Sequence, residues 1–307
     1  MSQLPPPYFD ETHEALRASV RRFVEKEILP HVDDWEEQNS FPRDLYLKSG
    51  AAGFFGLGYD EEYGGTQGDV FHKVVFTEEI MRSTSGGLVA SLGSLDIAMP
   101  PIAKWGSKAL KDKMIPGIIS GEKIAALAIT EPGGGSDVAS LKTRAEKVTT
   151  SDGEFYKVNG SKTFITSGIR ADYYTVAVRT GGEGYGGVSL LMIEKGTPGF
   201  TTGKSLKKMC WWASDTAELF FQNVKVPKEN VLGDPSKGLP YLMEGLAEER
   251  LIAAVECLAA AQKAFDITLE FTKQRKMFKK KLGDFQNTQF KLAEMSAELT
   301  MARVFVD

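Results

Sequence analysis

Between Pro240 and roughly Phe278 the apolar residues recur at helical spacing with no internal breaker, after the helix-start signal Asp234-Pro235-Ser236. A second helical pattern fills Asn287 to Val304. Two long helices cannot bury their apolar faces alone. The end of the chain therefore predicts a helical bundle that these two helices leave incomplete. It would be completed by helices beyond Asp307 or by a partner chain.

The rest of the chain divides by texture. Leu16, Val20, Phe23, Val24 and Ile28 recur at helical spacing, which predicts an amphipathic helix from Glu11 to Leu29, stopped by Pro30. After the glycine-rich loops Phe54-Phe55-Gly56-Leu57-Gly58 and Tyr63-Gly64-Gly65, helical patterns return from about Phe71 to Met81 and from Ser107 to Ile119. From about Lys123 the pattern changes to short β-rich runs: Ile124 to Ile129, Phe155 to Val158, Tyr173 to Val178, Val188 to Ile193 and Leu219 to Val226. No helical segments lie between these runs, which predicts an antiparallel β domain and not a βαβ nucleotide fold. The expected fold class is α+β. An N-terminal helical domain (1–122) precedes a middle antiparallel β-barrel domain (123–234) and a C-terminal long-helix bundle (235–307).

A chain of 307 residues with 42% hydrophobic and 25% charged residues is an ordinary globular composition. A net charge of -4 argues against a nucleic-acid partner, which needs a basic surface to neutralise phosphates. The basic run Lys279-Lys280-Lys281 reads either as a solvated helix end or loop, or as a grip for a small phosphate ligand. Two cysteines, Cys210 and Cys257, make neither a disulfide framework nor a zinc site, so no metal is expected. The start Met1-Ser2-Gln3-Leu4-Pro5-Pro6-Pro7 has no signal core or transit segment, and no run reaches the ~18 apolar residues of a membrane span. The expected location is cytoplasmic.

Four constellations have chemical potential. Thr130-Glu131-Pro132-Gly133-Gly134-Gly135-Ser136-Asp137 follows a predicted strand, and its glycines allow backbone N–H groups to approach pyrophosphate oxygens. The same residues also read as a plain strand-connecting turn. Gly160 to Gly168 places Phe164 beside hydroxyls, so a flat ring would stack on Phe164 while Thr166 offers a hydrogen bond. An ordinary buried edge strand is the alternative. Glu249 shares a helix face with Gly245, Ala253, Glu256 and Ala260, which sets a carboxylate beside a lane of small residues. Either it is a base poised against apolar surface, or Glu248, Glu249 and Arg250 form a charged patch. Arg275 and Gln286 flank Phe278 and suit a grip on phosphate, or are surface residues.

Taken in order along the chain, these signals resemble the acyl-CoA dehydrogenase family, most closely its long-chain and isovaleryl branches. The resemblance is carried by Ala128-Ile129-Thr130-Glu131-Pro132-Gly133-Gly134-Gly135-Ser136-Asp137, by Asn159 to Thr166, by Ala213-Ser214-Asp215-Thr216, and by Gln274-Arg275-Lys276-Met277-Phe278 leading to Phe285-Gln286. It implies FAD at a subunit interface of a homotetramer or homodimer. Leu127, Ala128, Ile129, Thr130, Glu131, Pro132, Gly133, Gly134, Gly135 and Ser136 would lie along the flavin. Thr130 and Thr166 would bond the isoalloxazine, with Phe164 and Ile165 near it. Arg275 and Gln286 would reach the FAD of a neighbouring subunit. Ser136, Glu248, Glu249 and Arg250 would meet the acyl-CoA substrate, with Glu249 as the base that removes its α-proton. Electrons would pass to an electron-transfer flavoprotein.

The chain stops at Asp307, where family members continue for about two helices, Lys279 replaces a usual glycine, and Cys210-Trp211-Trp212 stands where a glycine-led segment is common. The rival functions are an acyl-CoA oxidase that reduces oxygen and a non-catalytic flavin- or acyl-CoA-binding relative.

Overall fold

The computed structural model describes residues 8–151 and 153–307, so the reading of Met1 to Pro7 lies outside the described residues. Helices α1 (Glu11–Phe23), α2 (Val32–Glu37), α3 (Asp44–Ala51), α4 (Val70–Ile80), α5 (Gly86–Trp105) and α6 (Lys108–Ile119) come first. Strands β1 (Ala125–Ala128), β2 (Arg144–Thr150), β3 (Gly153–Thr166), β4 (Tyr173–Arg179), β5 (Val188–Glu194), β6 (Phe200–Thr202) and β7 (Thr216–Pro227) follow. The chain then forms α7 (Gly238–Gln274), a hairpin of β8 (Lys276–Met277) and β9 (Lys280–Lys281), and α8 (Gln286–Val306). This is the α+β order read from the sequence. The elements cluster into two compact units: one holds the chain up to Val32, Asp69–Thr84 and Glu248–Asp307, the other Asp33–Gly68 and Ser85–Ala247.

The second unit is built on one seven-stranded sheet in the order β1-β4-β2-β3-β7-β6, with β5 also on β4. β2–β3, β3–β7, β4–β5 and β6–β7 are antiparallel as the sequence predicts. β1 instead runs parallel to β4, with Ala125 opposite Tyr173. The long connection from Ala128 to Tyr173 permits that direction, and residue patterning within a four-residue strand carries no record of it. β4 and β5 are buried at nearly every position and so lack an alternating pattern, as expected for strands covered on both faces.

α5 packs on β1 and β4. It is long and apolar enough to cross a membrane, yet most of it is buried within this unit. The sequence reading did not include this helix because Gly86, Gly87, Gly93, Pro100 and Pro101 all read as breakers. Burial of Leu88, Leu92, Leu95, Met99 and Ile102 compensates for their poor helix propensity.

In the first unit α1 packs on α4, and both helices start in the same way. Asp10 accepts from the amides of Thr12 and His13 while His13 Nδ1 accepts from the Asp10 amide at 3.0 Å. Asp69 and His72 repeat this reciprocal cap on α4. With Nδ1 engaged as acceptor, His13 carries its proton on Nε2 and donates it to Asp69 Oδ1 at 3.1 Å. In the cluster of His13, Asp69 and His72, Asp69 Oδ1 lies 3.1 Å from His13 Nε2 and 2.9 Å from His72 Nδ1, and His72 Nε2 lies 3.2 Å from the Thr12 hydroxyl. α1 continues as a wider π-turn over Val24–Ile28, in which the Leu29 amide reaches the Val24 carbonyl. α8 buries no side chain, and Phe290, Met301, Val304 and Phe305 are exposed, the uncovered apolar surface that two long helices alone must leave.

Candidate functional site

The first two motifs form one substructure. β1 ends at Ala128, and Ile129 and Thr130 run beside β3, where the Thr163 amide donates to the Thr130 carbonyl at 2.9 Å. Glu131 and Gly134 exchange backbone hydrogen bonds of 3.0 Å, turning the chain at Pro132-Gly133. Pro132, Gly133, Gly134, Gly135 and Ser136 are exposed, and a methyl group built on Gly133 or Gly134 would meet nothing within 4 Å. The loop thus offers bare backbone to a ligand, the property an anionic cofactor needs.

Phe164 faces outward because β3 carries a bulge. Lys162 pairs with Leu219 and Ile165 with Ala217, so β3 has one residue more than β7 across this interval. Phe164 takes φ 57°, a left-handed conformation unusual for an aromatic residue, and is 68% exposed. Ile165 turns into the core, and Thr166 is half-buried. Gly160 to Thr166 pairs with β7 alone, since the pairing with β2 ends at Asn159, so this stretch is an edge segment as the alternative reading had it, although Phe164 is exposed and not buried.

Glu249 lies on α7 in the first unit and is half-buried, with no hydrogen bond or ion pair among the described residues. Burial pushes its carboxyl above the ordinary value; Arg250 opposes the shift and Glu248 adds to it. Glu248 is exposed and held by the ammonium of Lys73. Arg250 is exposed. Of the small-residue lane, Gly245 and Ala260 are half-buried and Ala253 is exposed.

α7 ends at Gln274, earlier than the expected limit near Phe278, because residues 276–281 form the two-stranded hairpin. The Leu282 amide donates to the Arg275 carbonyl at 2.7 Å and closes the hairpin's base. Phe278 (φ 47°) and Lys279 (φ 63°) form its left-handed turn, where glycine is the unstrained residue. Arg275 is exposed at the entrance to the hairpin, and Gln286 is exposed as the first residue of α8.

Residues 10–122 match the N-terminal domain of acyl-CoA dehydrogenases, 126–224 the middle domain and 236–307 the C-terminal domain. The mitochondrial long-chain specific acyl-CoA dehydrogenase of Mus musculus is 39% identical over 302 residues, covering 97% of this chain and 69% of that protein. The chain belongs to the acyl-CoA dehydrogenase family. The mitochondrial isovaleryl-CoA dehydrogenase of Oryza sativa subsp. japonica is also 39% identical, over 97% of this chain and 73% of that one. A crystal structure of an acyl-CoA dehydrogenase complexed with FAD from Bacillus anthracis superposes with a TM-score of 0.91 at 31% identity, covering 99% of this chain and 51% of the other.

Within this acyl-CoA dehydrogenase family member the structure joins the 127–136 loop to the Phe164–Thr166 segment, and it sets Arg275 and Gln286 at either side of one hairpin. Sequence reasoning missed what lies beneath the loop. Lys162 is fully buried and donates to Glu131 Oε1 at 2.9 Å and to the Ile129 carbonyl at 2.8 Å. Asp215 accepts from the Ile169 amide at 2.7 Å and from Arg170 Nε at 2.6 Å, closing the turn after β3. Ser94 Oγ lies 3.0 Å from Ser167 Oγ, and Ser91 donates to Ser214, binding α5 to the same turn. The available signal was Lys162 itself, a long cation inside a strand between positions that turn inward.

Proposed function

We propose that this chain is an FAD-dependent acyl-CoA dehydrogenase that converts a medium-to-long or branched acyl-CoA to the trans-2-enoyl-CoA, working in the cytoplasm as a homotetramer or homodimer. The reading takes 1–122, 123–234 and 235–307 as its helical, β and long-helix domains. One observation carries it: Glu249 is a half-buried carboxylate with its pKa raised and no hydrogen-bond or ion-pair partner among the described residues, while Glu248 beside it is already paired. A carboxylate freed from ion pairs and partly stripped of water is suited to take up a proton.

The exposed backbone of Gly133 and Gly134 and the outward Phe164 fit a planar, phosphate-bearing group. Leu127 to Ser136 and Phe164 to Thr166 would line it, and Arg275 and Gln286 would reach the FAD of an adjoining subunit. FAD, when bound, would supply the acceptor for the β-hydride, with an electron-transfer flavoprotein as the onward electron acceptor. Glu249 removes the α-proton of the thioester, with Arg250 and Glu248 flanking it at the substrate. Ser136 approaches the CoA portion, and hydrogen bonds to the thioester carbonyl stabilise the enolate-like charge that develops.

The test is an anaerobic titration of the purified, FAD-loaded protein with a straight medium-chain acyl-CoA and a branched one, following the flavin absorbance band. Bleaching by either supports dehydrogenation. A yellow protein unchanged by both, or one whose bleached flavin reoxidises rapidly in air with peroxide formed, overturns the reading, the latter in favour of an oxidase.

A further inference from the structure

Beneath the glycine loop, one carboxylate closes both ends of a segment. Glu131 Oε2 accepts from the Lys142 amide at 2.6 Å, and Glu131 Oε1 accepts from the Thr143 amide at 2.9 Å. The chain between Glu131 and Thr143 is thereby pinned at its base into a closed excursion, whose exposed part includes Pro132 to Asp137. Lys162 approaches the same carboxylate from β3 and also holds the Ile129 carbonyl, just before the loop begins. Its side chain is 0% exposed and that of Glu131 9% exposed.

Such a pair is not needed for stability alone. Two charges removed from water recover through their attraction roughly what dehydration takes away, and a packed apolar pair of the same volume serves a core as well or better. What the ionic pair adds is direction. The ammonium needs acceptors at fixed places, and those it finds are on the loop's entry strand and on the residue that closes the loop. Two residues further along β3 stands Phe164, so one side chain fixes the spacing between the loop backbone and the outward aromatic ring.

We propose that Lys162 is a positioning residue for the flavin site: through Glu131 and Ile129 it sets the 130–136 loop at a fixed height beside Phe164 and Thr166. This rests on the FAD reading above. Lys162 does not touch the ligand itself. Burial pushes its ammonium pKa down, opposed by the attraction of Glu131.

The experiment compares the parent chain with Glu131→Gln, which keeps one acceptor oxygen for the Lys142 and Thr143 amides and sets an NH2 group where the other oxygen accepted, and with the double variant Lys162→Met/Glu131→Gln, which leaves no buried charge. Melting temperature, hydrogen exchange without flavin at the hydrogen-bonded loop amides of Glu131, Gly134 and Thr163, and FAD dissociation constant are read on each. The expected result is a double variant that melts close to the parent, exchanges its loop amides at least ~10-fold faster, and binds FAD roughly tenfold more weakly with an altered flavin band. Glu131→Gln should shift both readouts the same way by less. Parent-like exchange in either folded variant overturns the proposal, as does faster exchange with unchanged FAD affinity and spectrum. If the parent itself takes up no FAD, the flavin reading fails, while the exchange measurement still decides whether Lys162 sets the loop.

Discussion

Glu248 and Glu249 are adjacent in sequence and opposite in circumstance: Lys73 holds the first, and the second is half-buried without a partner among the described residues. The contrast separates a surface carboxylate from a candidate base. Glu249→Gln should retain FAD and acyl-CoA binding but slow anaerobic flavin reduction by at least ~100-fold, the lower scale of general-base effects. Glu248→Gln should reduce within a few-fold of the parent. Stopped-flow absorbance on both variants decides it, and unimpaired reduction in Glu249→Gln would move the base elsewhere.

The paired helix caps of the first unit give a pH dependence with a definite sign. Asp10 is pulled down to about 2, chiefly by the Thr12 hydroxyl and then by the His13 amide. Partial burial pushes the Asp69 carboxyl up, but hydrogen bonds from His13 and His72 outweigh it and hold it below the ordinary 3.8. Both groups are depressed by folding, so their contribution is complete above the unfolded value near pH 4 and is lost as pH falls below it. Asp69→Ala should destabilise at pH 7 by about 1–2 kcal/mol, the scale of a lost N-cap. Urea unfolding at pH 7 and at pH 3 should show that difference shrinking in acid; a difference of the same size at both values would rule out the linkage.

Within the same unit, Glu79 accepts from Arg21 Nε at 2.9 Å and Nη2 at 2.7 Å, and lies 3.4 Å from Arg17 Nη1. It is 2% exposed. Glu79→Gln should therefore destabilise by about 2–3 kcal/mol, because charge-assisted bonds to a carboxylate that is itself almost fully buried are lost. Glu14→Gln, which removes an exposed partner of Arg17, should change stability by less than about 1 kcal/mol. Equal effects in urea unfolding would show that burial does not distinguish the two carboxylates.

How much of this was legible in the sequence varies with how locally each feature is encoded. α1, α4 and α6 were readable because each has a capping residue at its start and a stretch of helical pattern. α5 was not, because a helix buried on several sides shows little contrast between faces and depends on tertiary packing to tolerate Pro100 and Pro101. The loop at Thr130 and the outward role suggested for Phe164 were visible as residue types, but the bulge that turns Phe164 outward exists only in the register between β3 and β7. Lys162 and Glu131 are 31 residues apart, and no local pattern announces that a motif glutamate points under its own loop and not at a ligand.

Phe164 gives the sharpest test of whether that register serves binding. Its left-handed backbone should disfavour a bulky L-residue by roughly 1–2 kcal/mol, and with the ring 68% exposed little burial compensates. Asparagine tolerates this conformation better and does not add the backbone freedom of glycine. Phe164→Asn should therefore leave the flavin-free protein as stable as the parent or more so, by up to about 1 kcal/mol, while weakening FAD binding by roughly tenfold through loss of the stacking surface. Thermal unfolding of the apoprotein and flavin fluorescence titration read the two quantities separately. A variant that is both more stable and equally good at binding FAD would mean that the strain at Phe164 serves something other than the cofactor, and a marked loss of apoprotein stability would mean that the ring packs in solution.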